Sequence, residues 1–266
     1  MTIPIALSIA GSDPSSGAGI QADLKTFSAL GVYGATVITA LTAQNTQSVA
    51  AIEAVSPAFV TAQIEAVCGD LAVAAVKIGM LGTRGVVEAV AIALERHALR
   101  NVVLDPVMVA GSGRELLARD AVDILRRVLV PRASIVTPNL PEAAALLGEP
   151  QAQEEAQMRT QAEKLLRVGA RAVLLKGGHA GGSESVDFFV DGRVELRLPA
   201  PRVETRNTHG SGCTLSAAIA AGLAKGLPLA EAVAQAKAYV TAAIAAADRL
   251  SVGRGAGPVH HFHEWW

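Results

Sequence analysis

Short apolar runs alternate with longer amphipathic or alanine-rich segments along most of the chain. The apolar runs are typical of buried strands, and the longer segments are typical of helices. The predicted strands cover residues 3–10, 35–41, 74–79, 101–105, 134–138 and 172–178. The predicted helices cover residues 20–30, 57–69, 85–98, 154–168, 212–224 and 229–247. The segment 185–198 alternates like a β-hairpin, and we expect Asp191-Gly192 to form its two-residue turn.

Strands that alternate with helices favour a parallel sheet covered on both faces. The predicted fold class is therefore α/β, a three-layer α/β/α architecture with a mostly parallel central sheet. Nothing in the sequence resembles a linker or a repeat, so we expect one domain over residues 1–266. In such sheets ligands bind beyond the carboxyl ends of the strands. Polar residues directly after strands are thus the first candidates for a site.

Composition narrows the class of protein. Hydrophobic residues make up 51% of the chain and aromatic residues 3%, which predicts a large aliphatic core. The formal net charge of -1 gives no reason to expect nucleic acid as a partner. No apolar stretch approaches the ~20 residues of a membrane helix. The two cysteines, Cys68 and Cys213, are read as reduced thiols of a cytoplasmic protein.

The segment NTHGSGCTLSAAI places Gly210, Ser211 and Gly212 before an alanine-rich helix. Glycines there allow free helix amides to converge on an anion, although an ordinary loop remains the alternative. It is not a Walker A loop, because GKS and GKT are absent. Cys213 falls where the helix begins, and the helix N-terminus is expected to lower the pKa of its thiol. A small buried side chain is the alternative for Cys213, and Cys68 is read as structural.

Four polar residues follow predicted strands: Asp105, Asn139, Glu142 and Lys176. Oxygens of Asn139 and Glu142, spaced i, i+3 on a starting helix, would suit Mg²⁺. Lys176 could contact a phosphate or merely end an exposed strand. For Glu142 the alternative is an acid favoured by the helix dipole.

Two further residues carry weaker signals, and the C-terminus carries one more. Asp23 lies in the first turns of a helix, where the dipole alone favours a carboxylate. Gln44 follows an apolar strand, where its amide could bind a heterocycle or simply belong to a polar loop. The segment 259–266 holds three histidines in four residues, and we expect a surface tail rather than a metal site.

Taken together, seven segments resemble the hydroxymethylpyrimidine/phosphomethylpyrimidine kinases of thiamine synthesis, a family of the ribokinase-like superfamily. They occur in family order over nearly the whole chain: GSDPSSGAGIQADLKTF, TALTAQNT, VKIGMLG, DPVMVAGSG, TPNLPEA, LLKGGH and NTHGSGCTLSAAI. The resemblance implies a ribokinase-like fold, often a homodimer. It implies that Mg-ATP phosphorylates 4-amino-5-hydroxymethyl-2-methylpyrimidine and then its monophosphate.

The resemblance also implies residue roles. On the substrate side it implies that Asp23 and Gln44 bind the aminopyrimidine and that Gly11, Met80 and Val107 line its pocket. On the nucleotide side it implies roles for Lys176, Asn139 and Asp105 in binding ATP, and for Glu142 and Asn139 in holding Mg²⁺. The 210–213 segment would form the anion hole, with Cys213 in the position of the catalytic base.

Two other functions stay open from the sequence. One is a pyridoxal kinase of the cysteine-bearing ribokinase-like type, against which Asp23 and Gln44 argue. The other is a non-catalytic pyrimidine-binding protein, against which Lys176, Glu142 and Cys213 argue, since binding alone needs none of them.

Overall fold

The alternation read from the sequence is present in the structure, a computed structural model that describes residues 3–111, 113–178 and 181–266. Its described residues form one sheet of nine strands. The strands are β1 (Ile5–Ser12), β2 (Tyr33–Gln44), β3 (Val49–Ala54), β4 (Val73–Ile78), β5 (Val102–Leu104), β6 (Ile135–Val136), β7 (Val173–Leu175), β8 (Glu184–Val190) and β9 (Glu195–Pro201).

Eight α-helices are found in the same residues. They are α1 (Gly19–Ala29), α2 (Pro57–Cys68), α3 (Arg84–Arg96), α4 (Arg119–Ile124), α5 (Leu140–Leu147), α6 (Glu155–Arg167), α7 (Ser211–Ala224) and α8 (Leu229–Ala245). A π-helical turn, Leu125–Leu129, continues α4. Within the described residues, no helix is long and apolar enough to cross a membrane.

The strand order is β3-β2-β1-β4-β5-β6-β7-β8-β9. The six strands from β2 to β7 in this order are mutually parallel. Antiparallel pairing is confined to β3 at one edge and to the β8–β9 hairpin at the other. The mostly parallel α/β prediction is therefore confirmed. The direction in which successive strands are added along the sheet reverses between β1 and β4, the position where such sheets usually bind ligands.

The sheet separates two apolar layers. One packs against α2 to α6 and the other against α1, α7 and α8. Side chains of a strand alternate between faces, so neighbours in β4 divide between the layers. Val76 belongs to the first layer and Ala75 to the second, and Lys77 consequently points to the side of α1 and α7. The helices on both faces confirm the three-layer prediction.

The hairpin turn was predicted wrongly. Val190 pairs with Glu195, so four residues rather than two connect β8 and β9. The Asp191 carboxylate accepts hydrogen bonds from the backbone N–H groups of Arg193 and Val194 at 2.9 and 2.7 Å. An aspartate that bonds its own loop in this way stabilises a wider turn, and this competes with the Asp-Gly preference for a tight one.

Candidate active site

A large cleft opens at the carboxyl edge of the sheet, beside the point where β1 and β4 are neighbours. Its volume is about 1180 Å³. Pockets for one small ligand commonly measure about 300–1,000 Å³. The cleft is thus large enough for two ligands side by side.

The cleft brings together almost all the site residues that the sequence predicts. Gly11, Gln44, Met80 and Val107 line one end, which lies past β1, β2, β4 and β5. The remaining predicted residues on its wall are Asp105, Asn139, Glu142, Lys176 and the 210–213 segment. The far end reaches the β8–β9 hairpin and α8, where Ser185 and Thr241 face it. Asp105, Glu142 and Lys176, which come after β5, β6 and β7, therefore lie between these two ends of the cleft, which we call its lobes.

The glycine-rich segment starts α7 with an unusual backbone conformation. Gly210 is the N-cap residue and has a φ of 77°. A side chain there would overlap the carbonyl oxygen of Gly17, so the position demands glycine. The first internal helix bond runs from Thr214 N to the Gly210 carbonyl. Within the described chain, the N–H groups of Gly212 and Cys213 precede that bond and stay available to an anion.

Gly212 marks the approach of Lys176 to this helix start. A Cβ at position 212 would lie 3.3 Å from the Lys176 Nζ and 3.9 Å from the Asp105 Oδ2. A side chain would therefore occupy the space between the lysine and the helix amides. That space has amides on one side and an ammonium on the other, which suits a phosphate group.

Lys176, which is partly exposed, and the buried Asp105 form an ion pair on the cleft wall. The Lys176 Nζ lies 2.7 Å from the Asp105 Oδ1 and 3.9 Å from the Glu142 Oε2. Burial favours the neutral forms, but each group holds the other charged: the pKa of Lys176 is raised and that of Asp105 is lowered. Hydroxyls of Thr137 and Ser216 also donate to the Asp105 carboxylate, each at 3.2 Å. The lysine is thereby fixed as a cation facing the cleft.

Asn139 and Glu142 form a capping box at the start of α5. The Asn139 side chain accepts a hydrogen bond from Glu142 N at 2.8 Å, and Glu142 accepts one from Asn139 N at 2.7 Å. The structural alternative raised from the sequence is thus present. Burial also raises the pKa of Glu142 to about 7, against the opposing effect of Lys176. Both residues still line the cleft, so a role in metal binding stays a prediction.

Cys213 lies on the cleft wall within the first turn of α7. The expected lowering of its pKa is contradicted: burial raises the pKa of the thiol above its ordinary value. Lys77 and the backbone N–H of Gly19 act in the opposite direction, and Asp23 and Asp105 add to the rise. The helix N-terminus that the sequence predicts is present, but desolvation outweighs it.

Asp23 requires a second correction. It was predicted to bind the substrate, but its side chain is fully buried and lies behind the cleft wall. Its Oδ2 accepts hydrogen bonds from Ser8 Oγ at 2.6 Å and from Lys77 Nζ at 2.8 Å. Lys77 itself lines the cleft, but it was not among the predicted site residues. The available signal was a lysine within an otherwise apolar buried strand.

His209 also lines the cleft and was not predicted. Its Nε2 lies 2.8 Å from the Asp13 Oδ2 and 3.3 Å from the Gln44 Nε2. Asp13 is fixed in turn by the backbone N–H of Ala18, at 2.9 Å. The histidine thus joins the loop after β1 to the Gln44 side chain. Its position directly before Gly210 was the signal in the sequence.

The C-terminal segment is not a surface tail as predicted. Val259, His260 and His261 are buried, and the His261 Nε2 lies 3.0 Å from the Thr214 Oγ1. The Val259 N–H donates to the His209 carbonyl at 3.4 Å. Burial lowers the pKa of His261 to about 3, so its ring stays neutral. The segment packs against the residues on both sides of the glycine-rich turn and holds them in place.

A lysine close to the free N–H groups of a helix start, in a cleft at the strand ends, can hold the phosphates of a nucleotide. This arrangement and the mostly parallel sheet define the class of small-molecule kinases with a ribokinase-like fold. The family model for phosphomethylpyrimidine kinase matches residues 13–260. The chain therefore belongs to the phosphomethylpyrimidine kinase family.

Individual relatives agree with this. A hydroxymethylpyrimidine/phosphomethylpyrimidine kinase of Rhizobium meliloti is 64% identical over 98% of both chains. The enzyme of the same name in Escherichia coli is 54% identical, again over 98% of both chains. Among solved structures, an ADP complex of Bacillus subtilis pyridoxal kinase superimposes with a TM-score of 0.91 at 38% identity, over 98% of both chains. A Staphylococcus aureus pyridoxal kinase in complex with AMP-PCP and pyridoxal also reaches 0.91, at 32% identity over 100% of this chain and 96% of that one.

Proposed function

We propose that this kinase transfers the γ-phosphoryl group of ATP to the hydroxymethyl oxygen of 4-amino-5-hydroxymethyl-2-methylpyrimidine, and then phosphorylates the resulting monophosphate. The observation that carries the proposal is the order of groups along the cleft. Gln44, Met80 and Val107 form one lobe, the second lobe lies toward the hairpin, and Cys213 and Lys176 lie between them. A ring with amine and imine nitrogens matches the paired donor and acceptor of the Gln44 amide.

The residues between the lobes account for the transfer. The hydroxymethyl oxygen attacks the γ-phosphorus, the bond from that phosphorus to the β–γ bridging oxygen breaks, and ADP leaves. Cys213, as thiolate, takes the hydroxyl proton, while the N–H groups of Gly212 and Cys213 and the Lys176 ammonium neutralise charge on the phosphoryl group. Little covalent chemistry is asked of the protein, which is usual for phosphoryl transfer.

The second phosphorylation uses the same groups in this proposal. The monophosphate would shift so that its phosphate oxygen, rather than the hydroxymethyl oxygen, lies beside the 210–213 segment. The two-lobed cleft of about 1180 Å³ leaves room for that shift.

The site offers only a few protein ligands for Mg²⁺, and an ion bound together with ATP needs no more than that. Within the described residues no cluster of three or more histidine, cysteine, aspartate or glutamate side chains could hold a metal. Mg²⁺ bound with ATP needs only one or two carboxylates because it keeps waters and phosphate oxygens as ligands. The carboxylate of Glu142 and the amide of Asn139 are the side chains that would hold it, and the ion would neutralise the phosphate oxygens.

Replacing Glu142 with glutamine is expected to change how stability depends on pH. The folded pKa of about 7 exceeds the ordinary 4.5, so the folded state holds this proton more tightly. The contribution of the Glu142 proton to the free energy of unfolding is complete below about pH 4.5, and it is lost as the pH rises through 7. Glu142→Gln keeps the hydrogen bond from Asn139 N without a charge. Urea unfolding should find it more stable than the wild type at pH 8.5, by on the order of 1–3 kcal/mol, and similar at pH 5.

Two comparisons complete the Glu142 experiment. Glu154→Gln removes an exposed carboxylate at the start of α6 and serves as the matched control. Under the proposal, Glu142→Gln also needs more Mg²⁺ for half-maximal turnover, whereas the control does not. A stability difference that stays constant from pH 5 to 8.5 contradicts the pKa argument, and an unchanged Mg²⁺ requirement removes Glu142 from the metal site.

The substrate is tested by comparing kcat/KM for the hydroxymethylpyrimidine and for pyridoxal at saturating ATP. We expect a clear preference for the pyrimidine, because the loops around Gly11 and Gln44 match the pyrimidine kinases, and because relatives of that name reach 64% identity. A higher value for pyridoxal would replace the proposed substrate. No ATP turnover with either compound would favour the non-catalytic alternative.

The proposal extends to a homodimer in the cytoplasm, as the family resemblance implies. Sedimentation equilibrium of the purified protein tests the assembly. A mass of one 27.3 kDa chain at micromolar concentration would overturn that part of the proposal.

A further inference from the structure

Lys77 occupies a position that is costly for a lysine. It lies in β4 between Ser8 of β1 and Val103 of β5, in the interior of the parallel sheet. Its side chain is fully buried. An ammonium in such a place costs several kcal/mol unless its charge and its donors are satisfied. The fold keeps space for it, because a Cβ at Gly79 would lie 2.8 Å from the Lys77 Nζ.

The hydrogen bonds of the pair are incomplete. The Lys77 ammonium has three N–H donors, and within the described residues one of them is used, by the Asp23 Oδ2. The other oxygen of that buried carboxylate, Oδ1, has no partner there. A pair that served only to stabilise the core would be expected to satisfy both groups. Two N–H groups of this buried ammonium therefore remain for another group of the site close to it.

The group placed to use this charge is Cys213. Helix α7 packs over β4 on the face to which Lys77 points, and Lys77 and Cys213 are both among the residues that line the cleft. The charged groups around the thiol come from four elements: Lys77 in β4, Asp23 in α1, Asp105 after β5, and Lys176 after β7. Lys77 has the largest effect of these on the thiol, and it opposes burial.

We propose that Lys77 is the positioning residue for Cys213: its buried ammonium, anchored by Asp23, favours the anionic form of the thiol, which a base requires, against the opposing effect of burial. The inference rests on the proposed function, in which Cys213 accepts the substrate proton. It also explains why Asp23 lies behind the wall. The carboxylate anchors the lysine and does not touch the substrate.

The test measures the pKa of Cys213 directly, through the pH dependence of its alkylation by iodoacetamide in the unliganded full-length protein. All variants carry Cys68→Ala, so that Cys213 is the one remaining thiol. Lys77→Met should raise the Cys213 pKa by about one to three units, the range for loss of a nearby opposite charge. Alkylation at pH 7 should then slow about tenfold or more. Asp23→Asn should leave that pKa at or below the wild-type value, because it removes a neighbouring negative charge.

The double variant Asp23→Asn/Lys77→Met guards against failure to fold, because it leaves no unpaired charge in the core. We expect its Cys213 pKa to lie above that of the wild type and at or below that of Lys77→Met, because burial raises the pKa of Asp23 once its counter-charge is gone. This order is specific to a charge effect, since a general loosening of the site would move all three variants in the same direction. Equal Cys213 pKa values in the wild type and the double variant would overturn the inference. So would a higher KM for the pyrimidine with an unchanged thiol pKa, which would make Lys77 a substrate ligand.

Measuring kcat alongside the Cys213 pKa distinguishes a failure of this inference from a failure of the proposed function. If the thiol pKa follows the predicted order but kcat does not change with Cys213→Ala, Lys77 still controls the thiol and Cys213 is not the base. If Cys213→Ala abolishes turnover while the thiol pKa ignores Lys77, the base assignment stands and the inference fails.

Discussion

Replacing Cys213 with alanine is expected to lower kcat by about 10²–10⁴-fold, the usual contribution of a general base. The thiol lies in the first turn of α7, between the two lobes of the cleft and beside the free N–H groups of the helix start. Alanine keeps the helix and the N–H groups of Gly212 and Cys213, because only the Sγ atom is removed. Substrate binding should therefore persist while the chemical step slows. Steady-state kinetics with the pyrimidine and with its monophosphate measure both transfers.

Cys68→Ala is the matched control, because it removes the chain's other thiol at the end of α2, away from the cleft. It should turn over like the wild type. A Cys213→Ala variant that is folded by circular dichroism and within about threefold of wild-type kcat would exclude the base, since threefold is only ~0.65 kcal/mol of barrier. Loss of one transfer but not the other would show that the two steps use different bases.

The layers of this fold could be predicted from the sequence because its signals are local and repeated. Buried parallel strands read as continuous apolar runs, and the helices between them read as longer periodic segments. β3 was missed because it is a short, exposed edge strand, and three of its six residues are alanine, which is depleted in strands. α4 was missed because its own sequence, RDAVDI, has only six residues, and half of them are charged. Neither omission changes which strand ends meet at the cleft.

Site residues could be predicted where a charged side chain comes directly after a strand. Asp105 and Lys176 come straight after β5 and β7, so the topology of a parallel sheet is enough to bring them to the same edge. Asp23 was misplaced because its role depends on a partner 54 positions away in the chain. Spacing along the sequence cannot show that a lysine in another strand covers this carboxylate.

Electrostatics was the least predictable property. A cysteine at a helix start reads as a thiol of lowered pKa, yet burial raises the pKa of Cys213. The direction of this pKa shift depends on how much solvent reaches the sulfur and on which charges surround it. The solvent access and the charges are determined by residues from four separate elements. The burial of the C-terminal segment was also not predictable from the sequence. Its histidines resemble a polar tail, whereas in the structure His261 packs against Thr214.

Replacing Lys176 with methionine is expected to lower kcat/KM for ATP by about 10²–10³-fold, the cost of losing one charged donor to a transferring group. The ammonium lies 2.7 Å from the Asp105 Oδ1 and close to Gly212 at the start of α7. Methionine fills a similar volume without charge, so ATP would lose an ammonium contact and little packing. Lys164→Met is the control, because it breaks an ion pair with Glu149 that lies away from the cleft wall.

The same substitution also has a structural cost that must be separated from the chemical one. Without Lys176 the Asp105 carboxylate, 1% exposed, loses its closest counter-charge. Breaking a buried pair from one side commonly costs about 3–5 kcal/mol. Lys176→Met/Asp105→Asn removes both charges, so urea unfolding should find it more stable than the single variant. Its kcat/KM for ATP should stay low, because restoring neutrality in the wall does not restore a cation facing the phosphates. If the double variant instead recovers most of the activity, the role of Lys176 is to neutralise Asp105 and not to bind ATP. The amides of Gly212 and Cys213 would then stabilise the transferring phosphoryl group without the lysine.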